Sequence, residues 1–115
     1  MPFQPKLHLF AIMNDPCPEK LCLVVMVTTT YPGRRHDPSC TLDNGDHPFI
    51  THPSHMLYRM AETVHAAQIR NRIGQKIYVP RDDFGPAVFK RIADGLFASE
   101  ETRGRILKYA ENNGV

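Results

Sequence analysis

The run LCLVVMVTTT, residues 21–30, limits the fold of this chain more than any other stretch. Val24, Val25, Val27 and Thr28 to Thr30 are branched at Cβ, which costs rotamer freedom in a helix and suits extended backbone, so the run is expected as a strand. A second apolar stretch, LHLFAIM at residues 7–13, precedes it, and NDPCPEK between the two holds prolines that stop any helix. Both stretches are apolar on both faces. That pattern places them as central strands of a closed barrel or a covered sheet, and not at an edge.

The rest of the chain divides by its turn chemistry. Residues 31–39, YPGRRHDPS, have the proline, glycine and charge of an exposed loop. Residues 40–42 and 48–51 are expected as short strands around an Asn44-Gly45 turn, with Phe49 and Ile50 reaching into the core and His47 at its rim. Met56, Tyr58 and Met60 alternate like a half-buried strand, and the spacing of the apolar residues from there to Ile69 predicts a short helix before Gly74. Gly85-Pro86 opens a helix in which Val88, Phe89, Ile92, Ala93 and Leu96 share one face while Lys90, Arg91 and Asp94 point away. Ser99 is expected to cap a further helix, with Glu100 and Glu101 in its first turn, Ile106, Leu107 and Ala110 on its apolar stripe, and Asn113-Gly114 at its end. Strands first and helices last make an α+β chain, helices packed on one side of a small antiparallel sheet or barrel.

At 115 residues the chain is one domain, with no internal repeat. Apolar residues make up 42% and charged residues 23%, which excludes a disordered chain or a coiled coil. A net charge of +2 leaves any nucleic-acid interface to local clusters such as Arg34-Arg35 or Arg70 and Arg72. The opening MPFQPK lacks the pattern of a secretion signal, and the apolar run at residues 21–27 is far short of the roughly 20 residues that span a bilayer. Three cysteines, an odd number, then read as thiols in a reducing cytoplasm.

Three constellations carry candidate chemistry. Cys17, Cys22, Cys40 and His47 form a thiolate-rich set of the kind zinc accepts, set against the plainer reading of three unlinked thiols. His36, His47, His52 and His55 are candidate proton carriers, because imidazole changes charge near neutral pH. Of these, His47 stands beside Asp46, although adjacent side chains in extended backbone point opposite ways. Thr28 to Thr30 at a strand end, followed by Arg34, Arg35, His36 and Asp37, join hydroxyls that can hold a phosphate to guanidiniums that can neutralise charge building on phosphorus. The plainer reading has the threonines finish a strand and the arginines keep a loop solvated.

The order HLFAIMNDP, LCLVVMVTTT, TLDNGDHPFI, SHMLYRM, IGQK and two closing helices resembles the PemK/MazF-type toxins of toxin-antitoxin systems. The resemblance spans residues 7–110 and rests on the order of elements. It implies an SH3-like barrel of the PemK/CcdB type, a homodimer, and metal-independent cleavage of single-stranded RNA with no cofactor. The family's site threonine would fall at Thr29 or Thr30. Family members open with an Arg-Gly-Asp-like segment and an extra strand, whereas here only MPFQPK precedes the first expected strand, so Lys6 would stand in for a basic residue without the planar fork of arginine. In a ribonuclease of this kind, His47 or Asp37 would take the 2′-hydroxyl proton, Arg34 or Arg35 would stabilise the phosphorane, and Thr29 or Thr30 would position it, with His36, His52 and His55 as further binding residues. A rival reading keeps the barrel without catalysis and uses the loop at residues 31–39 to bind a protein or an antitoxin-like peptide.

Overall fold

The computed structural model describes residues 8–115 and shows an α+β chain. Its order is β1 (Phe10–Ile12), β2 (Leu21–Thr29), β3 (Thr41–Leu42), β4 (Ser54–His65), α1 (Ala66–Gly74), α2 (Pro86–Ala98) and α3 (Gly104–Asn112). The strands form one curled antiparallel sheet, a half-barrel in the order β1-β2-β4-β3. β2 and β4 are its spine. Their register runs from Leu21 opposite His65 to Thr29 opposite Ser54, with an irregularity between Val24 and Met26 that bends the pair.

One face of the spine meets the helices. Leu23, Val25 and Val27 of β2 and Met56, Tyr58 and Ala61 of β4 are buried against Ile92 and Leu96 of α2 and Ile106 and Ala110 of α3. The closest approach is at Gly95, where a Cβ would collide with the Tyr58 hydroxyl and crowd Cys40 and the Ser39 carbonyl. Tyr58 uses that closeness to donate its hydroxyl to the Ile92 carbonyl at 2.7 Å. Burial, and the neighbouring Cys40, push the Tyr58 hydroxyl far above its ordinary pKa, so it stays a neutral donor. α3 ends as its sequence predicts: Gly114 takes φ +69° and Val115 N–H reaches back to the Ala110 carbonyl at 3.0 Å, closing the last turn and returning Val115 to the core.

Four expectations are corrected. β1 is an edge strand, paired with β2 alone, and only Ala11 of its three residues is buried while Phe10 and Ile12 face outward. Apolar composition on both faces does not require that both be covered. Residues 48–51 make a turn, since Pro48 has no N–H to give a ladder and Ile50 N–H bonds the His47 carbonyl at 2.9 Å. Phe49 is accordingly exposed, with only Ile50 buried. Ser99 closes α2 and does not open α3: its N–H bonds the Gly95 carbonyl, its hydroxyl is taken by Asp37, and Thr102 ties the turn to the Leu96 carbonyl at 2.7 Å before α3 begins. β4, finally, runs on to His65, and only then does α1 start. Lys6 lies outside the described residues. No helix among the described residues is long and apolar enough to cross a membrane.

Candidate functional site

Alternation along β4 sets up the site. Ser54, Met56 and Tyr58 are buried, and the intervening His55, Leu57 and Arg59 turn to the other face, where they line a cleft of about 830 Å³. Arg35, His36 and Asp37 come to the same cleft from the loop that follows β2, and Glu100 and Glu101 from the turn after α2. Two stretches distant in sequence thus supply one wall of imidazoles and guanidiniums, faced by a carboxylate lip.

His55 is the centre of this wall. It is 7% exposed, and its Nδ1 lies 2.7 Å from Thr30 Oγ1. Its Nε2 makes no hydrogen bond among the described residues, yet no buried side-chain nitrogen there lacks a partner, so Nε2 opens to the cleft. The His36 ring stands beside it, centroids 5.1 Å apart and planes 35° from parallel, while His36 Nδ1 reaches the Arg34 carbonyl at 3.5 Å. Burial lowers the pKa of His55 and the neighbouring His36 lowers it further, outweighing the attraction of Asp37. His55 is therefore a neutral imidazole at pH 7, able to accept a proton at Nε2 when its Nδ1–H is donated to Thr30.

Asp37 braces the loop. Its carboxylate accepts the Ser39 N–H at 3.0 Å, the Ser39 hydroxyl at 2.6 Å and the Ser99 hydroxyl. Burial acts to raise its pKa, but these donors prevail and hold it below the usual carboxylate range. An anion so fully engaged positions Arg35 and His36 and joins their loop to the end of α2.

The other residues singled out in the sequence lie elsewhere. Thr29 Oγ1 meets His52 Nε2 at 2.9 Å, beside a separate small hollow of about 80 Å³ lined in part by His8, Phe49 and Ile50. Successive residues at the end of β2 thus send their hydroxyls to two different histidines. Arg34 leaves the cleft and stacks over the Tyr31 ring at 5.3 Å. His47 is 4% exposed and has both nitrogens engaged by backbone: Nδ1 accepts the Phe49 N–H at 3.0 Å, which makes Nε2 the donor to the Asp82 carbonyl at 2.6 Å. Its ring rests on Phe84 at 4.8 Å, and its sequence neighbour Asp46 pairs with Arg91. Among the described residues no three His, Cys, Asp or Glu side chains converge as metal ligands: Cys17 donates to Glu19 and Cys40 packs in the core beside Gly95.

Arg59 and Ser99 are site residues that the sequence reading did not single out. Arg59 was reachable, because once β4 is a strand with Met56 and Tyr58 inward, His55, Leu57 and Arg59 share the other face. Ser99, expected only as a helix cap, joins Asp37 across 62 positions, a contact with no local signal. Compared with protein-family models, curated proteins and solved structures, the chain matches none.

Proposed function

We propose that the chain is a metal-independent endoribonuclease acting on single-stranded RNA, a toxin-like protein built on a divergent PemK/MazF-type barrel. The observation that carries this reading is the pair of imidazoles at 5.1 Å, one a neutral base with an open Nε2, in a cleft that Arg35 and Arg59 also line. Cleavage of RNA needs a base for the 2′-hydroxyl, an acid for the departing 5′-oxygen and cations for the phosphorane, and asks nothing of a metal when these are in place.

In this reading His55 Nε2 removes the 2′-hydroxyl proton and the freed oxygen attacks phosphorus. The bond from phosphorus to the 5′-oxygen breaks, and His36 in its protonated form gives that oxygen a proton. The products are a 2′,3′-cyclic phosphate and a 5′-hydroxyl end, with one proton moved from the attacking to the leaving oxygen by way of the two rings. Arg35 and Arg59 hold the phosphate. Thr30 fixes the His55 ring, and Asp37 fixes the loop that carries Arg35 and His36. A homodimer and an antitoxin-like peptide partner belong to the same proposal, on the resemblance of element order alone.

The test is incubation with a mixed single-stranded RNA and with DNA of the same sequence, both in excess chelator. RNA cut to cyclic-phosphate ends and DNA left intact is the expected result. Equal cutting of DNA would exclude the 2′-hydroxyl as nucleophile, and binding without cutting would leave a non-catalytic RNA-binding barrel.

A further inference from the structure

Residues directly opposite on antiparallel strands share a face of the sheet, and the register carries the cleft's face outward across the molecule. Leu57, between His55 and Arg59, is opposite Met26 of β2, and Met26 is opposite Phe10 of β1. Two strand spacings, about 10 Å, separate the cleft wall from the edge strand. Along this path Met26 and Leu57 are half-buried, Phe10 is 42% exposed and Ile12 50%. At its far end the Tyr78 ring stands 5.9 Å from that of Phe10, and the Arg72 guanidinium lies over Tyr78 at 5.6 Å.

We infer that this outer face is a stacking platform for single-stranded RNA, on which a base flanking the scissile phosphate lies against Phe10 and Tyr78. The inference rests on the ribonuclease reading for its occupant and adds where the flanking nucleotide goes. The exposed Phe10 ring, with the half-buried Tyr78 beside it, offers a π-face to any base, and Arg72, over Tyr78, places a cation where the neighbouring phosphate would run. Continuity with the cleft puts guanidiniums at both ends of the track, Arg35 and Arg59 at one and Arg72 at the other, with apolar side chains between, and a strand of RNA would run along the arginine side, away from Glu100 and Glu101.

The experiment uses His55→Ala protein, in which the proposed base is removed so that binding is read apart from cutting, and a fluorescein-labelled single-stranded oligoribonucleotide followed by anisotropy. Phe10→Ala in that background is expected to weaken binding roughly five- to hundredfold, the range for loss of one stacked base, with Phe10→Trp restoring it and Phe10→Leu not. In the parent protein, the loss of kcat/KM from Phe10→Ala should be at least about tenfold greater for the oligonucleotide than for a dinucleoside monophosphate. Unchanged RNA binding, or full rescue by Leu, overturns the platform while leaving His55-dependent cleavage intact. Phe10-dependent binding by a protein that never cleaves supports the platform and defeats the ribonuclease reading. If Phe10→Ala lowers the mass in light scattering and leaves RNA binding alone, the face joins two copies and the platform is overturned; absence of all RNA binding overturns both readings.

Discussion

His47 and His55 are both buried, at 4% and 7% exposure, and each has a hydrogen bond to Nδ1, yet they differ in what their second nitrogens meet. His47 gives its second nitrogen to the Asp82 carbonyl and so pins the turn at residues 46–50 to the segment before α2. His55 leaves its second nitrogen facing a cleft, beside another imidazole, and Arg35 and Arg59 line the same cleft. A buried histidine is a proton carrier only when one nitrogen stays free to exchange, and a carboxylate next in sequence is no guide to that.

Substitution at the two positions should separate these roles. The largest effect is expected for His55→Ala, a loss of RNA cleavage of about a hundredfold or more with circular dichroism unchanged, since removal of a general base costs on that order. A variant that cleaves at the parent rate would place the base elsewhere. His47→Ala should instead lower stability, by about 1–3 kcal/mol for a buried polar pin and its ring contact, and leave the folded protein's rate nearly intact. Urea denaturation measures the first effect and kcat on native protein the second; a stable but inactive His47→Ala would reverse the two roles.

The orienting threonines offer a finer contrast. Thr30→Val removes the partner of His55 Nδ1 and should reduce kcat about tenfold with little change in KM, because it disturbs the orientation of the base and not the grip on phosphate. Thr29→Val removes a hydrogen bond to His52, outside the cleft, and should do neither. Equal loss in both variants would point to the strand end itself rather than to the His55 contact.

The smallest effects are in pH. With the His55 pKa below the usual value of about 6.5, the rising limb of kcat/KM against pH should lie on the acid side of that value and move or vanish in His55→Gln. Stability should follow the same group. Where the folded pKa is depressed, the unfolded chain takes up the proton first as pH falls, so the contribution is present above about 6.5 and is lost as pH drops through the folded value. His55→Gln should flatten that part of the stability curve, and an unaltered slope would assign it to another histidine.

Much of the fold is legible from local physics. The branched run of β2, the apolar face of α2 and the Asn113-Gly114 stop all declare themselves, because each depends on neighbours within a few residues. β1 does not, since its composition describes an interior strand and only the sheet order makes it an edge. Ser99 misleads for a similar reason: its Oγ accepts the Glu101 N–H at 3.1 Å as a cap would, but its proton goes to Asp37, remote in sequence, and the chain makes a turn there and enters α3 only at Gly104. For the site, Thr30, Arg35, His36, Asp37 and His55 are visible as residue types, while the choice among four histidines depends on which nitrogens the backbone occupies. That is settled by packing between residues 47 and 82, 36 and 55, and 30 and 55, and none of these pairs has a sequence signature.

The most direct measurement is RNA cleavage in chelator by the parent protein, His55→Ala and His47→Ala side by side, each confirmed folded and with product ends identified. Cyclic-phosphate products from the parent and from folded His47→Ala, with none from His55→Ala, are predicted. Cleavage that persists in His55→Ala, or that disappears only in folded His47→Ala, would contradict the assignment of the cleft as the reacting centre.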